Sequence, residues 1–140
     1  MDDAVEEVFH RMLERSCAAI GDAFAIRPDI SAKISLSGAL EAQCVVEFPA
    51  TSALCLTLAF LGDGEADWDD AMIADAVGEF CNMIAGGWKQ RLGPQAWPAD
   101  LSVPSIYRGP DLTTAAAGAT THHRAYVFDD SPFLVSLTLP

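Results

Sequence analysis

The sequence predicts an α+β fold, a mostly antiparallel sheet covered by long helices. Two long stretches place apolar residues near the 3.6-residue period, and several short β-type runs lie between Gly, Pro, Asp and Ser turns. The 140 residues are 51% hydrophobic and 20% charged, which supplies one core and leaves no room for two ordinary domains. A single domain over residues 1–140 is expected.

Residues 2–20 read as an amphipathic helix, with Val5, Val8, Phe9, Met12, Leu13 and Ile20 in near-helical register. Asp2, Asp3, Glu6 and Glu7 suit the positive end of its dipole, Glu7 and Arg11 form an i,i+4 pair, and Gly21 suits the stop. Lys33–Ser37 and Ala42–Phe48 are β-type runs around a turn holding Gly38, so a hairpin is expected. Ala53–Leu61 is apolar throughout, and its pattern alone leaves buried strand and buried helix open. A second long helix is predicted over residues 68–92, opened by Asp67, Asp69 and Asp70 and ended by Gly93-Pro94. Strands are expected at 101–107, 122–128 and 133–139, with a loop at 113–121 and turns at Asp63-Gly64 and Asp129-Asp130.

Charge narrows the function classes. Eight Lys and Arg against twenty Asp and Glu leave a net charge of −12, which repels phosphate backbones and anionic headgroups. No nucleic acid or membrane partner is expected. The longest apolar stretch is about half the length a spanning helix needs. The start is acidic where a secretory signal is basic, so a cytoplasmic location is expected. Cys17, Cys44, Cys55 and Cys81 form no C-x-x-C pair and lack clustered His, so reduced and mostly buried thiols are expected and no metal site. His122 and His123 are adjacent in a predicted strand and point to opposite faces, which is poor geometry for joint ligation. Asp67, Asp69, Asp70 and Asp75 read as a capped helix start rather than a cation site.

The 68–92 helix carries the most information. On a helical wheel Ile73, Ala76, Val77, Phe80, Ile84 and Trp88 form the core face. Glu79, Asn82 and Gly86 fall on the opposite side with Met83 at the border. Asn82 is the sole asparagine, and it occupies a helix interior where it is less favourable than Ala by roughly half a kcal/mol. Gly78, Gly86 and Gly87 each cost about 0.5–1 kcal/mol more relative to Ala. Two solvated polar residues beside a close helix crossing would account for the pattern, because E-x-x-N alone is a weak motif.

The run Gly78-Glu79-Phe80-Cys81-Asn82-Met83-Ile84-Ala85-Gly86-Gly87-Trp88-Lys89 resembles the motif helix of the CheX family of chemotaxis phosphatases. Met83, Ile84, Gly86 and Lys89 follow Glu79 and Asn82 in the family's step, and Pro104-Ser105-Ile106 with Gly109 is similar to its following strand. Phe80, Cys81, Gly87 and Trp88 depart from the expected residues. The resemblance implies a CheC/CheX-like fold and a helix at residues 52–61. CheC-type relatives carry two E-x-x-N helices, and a second copy would need a second Asn, so the resemblance is to CheX.

The resemblance further implies a phosphatase acting on the aspartyl phosphate of a CheY-like response regulator, with Mg2+ bound in the partner and no cofactor on this chain. Asn82 would position the attacking water and Glu79 would ion-pair with the receiver's active-site Lys. Met83 and Gly86 would face the partner, and a homodimer paired through the sheets is implied. A neutral carboxamide suits this work, because it accepts through oxygen and donates through nitrogen without adding charge beside a phosphoryl group. A non-catalytic receiver-binding module of the same fold is the alternative. A sensor using this helix for another ligand is a third reading without a residue to point to.

Overall fold

A computed structural model of the chain describes Ala4 and residues 18–21, 27–62, 68–109 and 119–139. The strands are β1 (Ala18–Gly21), β2 (Ile30–Ser37), β3 (Ala42–Phe48), β4 (Asp100–Leu101), β5 (Ser105–Arg108), β6 (Thr120–Phe128) and β7 (Ser131–Leu139). The two long described helices are α1 (Ala50–Leu61) and α2 (Asp70–Arg91). Among the described residues the strand pairings are all antiparallel, in the order β1-β6-β7-β3-β2, with β4 and β5 both on the outer edge of β2.

The expected β2–β3 hairpin is present, and Gly38 takes φ 87° in its turn, a value that favours glycine. β6 and β7 are joined by the predicted Asp129-Asp130 turn, whose φ values of 46° and 61° fit a two-residue hairpin on twisted strands. The segment that sequence left open is helical from Ala50. Its first turn is tied down by Asp29, whose Oδ2 accepts from Ala50 N at 2.7 Å.

Three expectations need correction. Residues 18–21 are strand β1 rather than the end of the first helix, because Ala18 and Ala19 pair with Val127 and Tyr126 of β6. The rest of that expected helix lies outside the described residues, except Ala4, which is helical and buried. Thr120 and Thr121 belong to β6 and not to a loop; residues 113–118 and the Asp63-Gly64 turn lie outside the described residues. The 101–107 strand is split into β4 and β5 by a bulge.

Alternate strand residues build the core on one face of the sheet, although Ser31, Lys33, Val45, Leu134 and Ser136 on the other face are buried as well. Ile30, Ala32, Ile34 and Leu36 of β2, Cys44, Val46 and Phe48 of β3, Tyr126 and Phe128 of β6, and Phe133, Val135 and Leu137 of β7 point there. They meet Leu56 of α1 and Val77, Phe80, Cys81 and Ile84 of α2. Five aromatic rings form the centre: Phe48 stacks on Phe133 at 5.1 Å, and Phe80 meets both edge-on at 5.6 and 5.5 Å. Tyr126 and Phe128 close on Phe133 at 5.4 and 5.9 Å.

Candidate active site on the outer face of α2

The sequence builds α2 with defined ends. Asp69 is the N-cap, its carboxylate accepting from Met72 N at 2.8 Å, with Asp70 in the first turn. Lys89 and Arg91 occupy the last turn, where the dipole favours cations, and Gly93 follows at φ 100°. The cap and first turn account for Asp69 and Asp70, and no group of three His, Cys, Asp or Glu among the described residues could hold a metal ion. Asp67 lies outside the described residues.

Rotation of the helix is set by Phe80. With its ring among Phe48 and Phe133 and no exposure to solvent, the residue before it and the residue two after it are turned outward. Glu79 and Asn82 are both exposed, one turn apart, as the spacing predicted. Met83 and Gly86 are half-buried on the same side. A Cβ placed on Gly86 would meet no atom within 4 Å, so its bare backbone faces open space. Asp75, one turn before Glu79, is exposed as well. The stripe is therefore an acid, an amide and an accessible backbone patch along two turns.

Of the other two glycines of α2, Gly78 has a packing reason. A Cβ on Gly78 would stand 3.3 Å from Pro104 Cγ and 3.3 Å from Ile106 Cδ1, so the missing side chain admits the segment leading into β5. At Gly87 the neighbours are Arg91 Nη1 at 3.6 Å and Ala4 Cβ at 3.8 Å. Those are ordinary contact distances that would admit a Cβ, whereas Gly86 has no neighbour at all within 4 Å.

His123, Cys44 and Cys81 have structural partners. Adjacent in β6, the two histidines take opposite faces, with His123 Nδ1 bonded to Ser136 Oγ at 2.8 Å. Cys44, Cys55 and Cys81 are free thiols, the first and last buried; Cys17 lies outside the described residues. Cys81 Sγ donates to the Ala32 and Cys44 carbonyls at 3.6 Å. A hydrogen bond with Cys81, then burial, then the charge on Cys81 push the Cys44 thiol well above its ordinary range. The bulge between β4 and β5 was not legible in the sequence, because strand register is not visible there.

The family model for chemotaxis phosphatase CheX matches residues 30–127, which contain the whole of α2. A CheY-P phosphatase CheX of Thermotoga maritima is 26% identical over 106 residues, 76% of this chain and 68% of that protein. The solved chemotaxis protein CheX of Desulfovibrio desulfuricans superposes with a TM-score of 0.79 at 22% identity, covering 99% of this chain and 95% of that one. The CheX of a CheX–CheY–BeF3–Mg2+ complex from Borrelia burgdorferi superposes with a TM-score of 0.74 at 20% identity, covering 98% and 92%. No described helix is long and apolar enough to cross a membrane.

Proposed function

The chain belongs to the chemotaxis phosphatase CheX family, and on that premise we propose that it hydrolyses the aspartyl phosphate of a CheY-type response regulator. One observation carries the reading. The sole asparagine of the chain stands exposed on α2 one turn from an exposed glutamate, on a helix whose rotation a buried Phe80 fixes.

A receiver domain brings its own acyl phosphate and its own Mg2+, so what this chain must add is a water held in line with the scissile bond. Positioning of that kind is where much of phosphoryl-transfer catalysis resides. The Asn82 carboxamide would accept from the water through Oδ1 and donate through Nδ2 toward phosphoryl oxygen, leaving the net charge at the centre unchanged. Glu79 would ion-pair with the receiver's Lys and set the depth to which Asn82 enters. Gly86 would let a partner loop approach the helix backbone, and Met83 would add an adaptable apolar contact. The chain needs no cofactor of its own in this scheme. It works in the cytoplasm as one domain spanning residues 1–140, and it pairs as a homodimer.

The test is decay of acetyl-phosphate-charged receivers followed with and without the protein. Asn82→Ala should abolish the acceleration while receiver binding persists, whereas Glu79→Ala should weaken both. An Asn82→Ala variant that releases phosphate at the wild-type rate overturns the assignment. Saturable binding by the wild type with no change in decay overturns the enzyme reading in favour of a receiver-binding module.

A further inference from the structure

The edge of the sheet beside α2 contains a feature that the catalytic reading leaves unused. Leu36 pairs with Leu101 and Lys33 with Ser105, so two residues of β2 face three on the other strand, Ser102, Val103 and Pro104. That count defines a β-bulge, a device that re-aims a side chain and recurs beside active sites. Pro104 donates no backbone hydrogen bond and so suits the interruption. The bulge is held firmly. Ser102 N donates to Ser35 O at 2.9 Å, Ser35 N donates to Ser102 Oγ at 2.9 Å, and Ser102 Oγ donates to Val103 O at 3.0 Å. The result is a valine 82% exposed on a fixed backbone, more exposed than any other described large hydrophobic residue.

Its position connects it to the site. Pro104 and Ile106 lie against α2 at Gly78, the residue before Glu79 and one turn before Asn82. Ile106 is itself 37% exposed. Pro104 and Ile106 thus extend the α2 surface at Gly78 into an apolar ledge, and Val103 is the next residue along the chain from Pro104.

We propose that the Val103 ledge is a second docking element for the phosphorylated receiver, taking an apolar patch on the rim of that receiver's active site while Glu79 engages its Lys. This inference rests on the function proposed above and names the surface that gives it affinity. Charge selects the occupant. Gly78, where Pro104 and Ile106 lie, is next to the exposed Glu79 and one turn from the exposed Asp75 on a chain of net charge −12, so a second copy meeting it here would bring like charges together. A receiver offering a lysine beside an apolar rim is complementary to both parts. A side chain presented on a preorganised backbone loses little entropy on binding, which favours affinity.

The experiment uses the full chain and the acetyl-phosphate-charged receiver it dephosphorylates fastest among a panel. Val103→Asp should raise KM for that receiver roughly ten-fold or more while the rate at saturation is retained, and Val103→Ile should restore KM. Its high exposure means that neither substitution should disturb folding, which a melting curve checks. Asn82→Ala runs alongside. If Asn82→Ala is inactive and Val103→Asp leaves KM unchanged, the ledge proposal alone falls. If Asn82→Ala is fully active, the catalytic reading falls and takes the ledge with it. If Val103→Asp lowers the molecular mass in light scattering, the valine is a contact between copies, and the receiver-docking proposal is overturned.

Discussion

At the scale of the residue, the chemistry turns on the difference between an amide and an acid. Asn82→Asp changes almost no volume but places a carboxylate where phosphoryl oxygens approach. Two like charges about 4 Å apart at an effective dielectric of about 20 repel by roughly 4 kcal/mol, enough to cancel a positioned water's benefit. The near-isosteric variant should therefore accelerate receiver dephosphorylation no better than Asn82→Ala, measured as first-order decay of the phosphorylated receiver at fixed pH. Decay as fast as wild type would mean that the group acts as a base. Asn82 was legible in the sequence because it defies local stability: an asparagine in a helix interior, opposite the apolar stripe, needs another reason. Val103 was not legible, since nothing in Leu-Ser-Val-Pro-Ser says which residue the bulge ejects until the pairing with β2 is known.

At the scale of the element, two glycines of α2 make opposite predictions. Gly86→Ala meets open space and improves helix propensity, so it should stabilise the protein by up to about 1 kcal/mol. The added methyl also lies on the stripe that a receiver must approach, so KM for the receiver should rise together with the melting temperature. Higher stability with unchanged KM would remove Gly86 from the interface. Gly78→Val should do the reverse to stability, because its Cβ already stands 3.3 Å from Pro104 and Ile106 and its methyls would displace the entry to β5, a cost of about 1–3 kcal/mol. Sequence periodicity found α2 to within two residues at each end, because the Asp69 cap and Gly93 mark its limits. It overran the first helix into β1, since Ala18 and Ala19 are good helix formers and only pairing with β6 makes them strand. Composition likewise left 53–61 undecided until family likeness pointed to a helix, and the Asp29 carboxylate on Ala50 N shows the long-range contact that fixes its start.

At the scale of the whole molecule, the buried Cys44–Cys81 pair couples global stability to alkaline pH. The folded state holds the Cys44 proton well above the ordinary thiol value of 9.0, while the unfolded chain releases it near that value. The stabilisation is complete below about pH 9 and is lost as pH rises toward the folded value, at about 1.4 kcal/mol per pH unit for the single proton. Urea unfolding at about pH 8 to about pH 10 should show this decline, and Cys44→Ala should flatten it; equal slopes would exclude Cys44 as its source.

The sheet also decides how copies can meet. Both helices lie on one face of it, so two chains joined edge to edge extend the sheet and leave each α2 stripe open to a receiver. With the edge formed by β4 and β5 given to the receiver as proposed, pairing between copies is expected at β1, a strand with a partner on one side only among the described residues. The expected assembly is a homodimer of twice 14.9 kDa by light scattering at micromolar concentration. It should bind one receiver per chain with hyperbolic saturation, and Val103→Asp should leave its mass unchanged. A mass near 14.9 kDa would refute the dimer, and one receiver per two chains would show that pairing covers one of the two α2 faces.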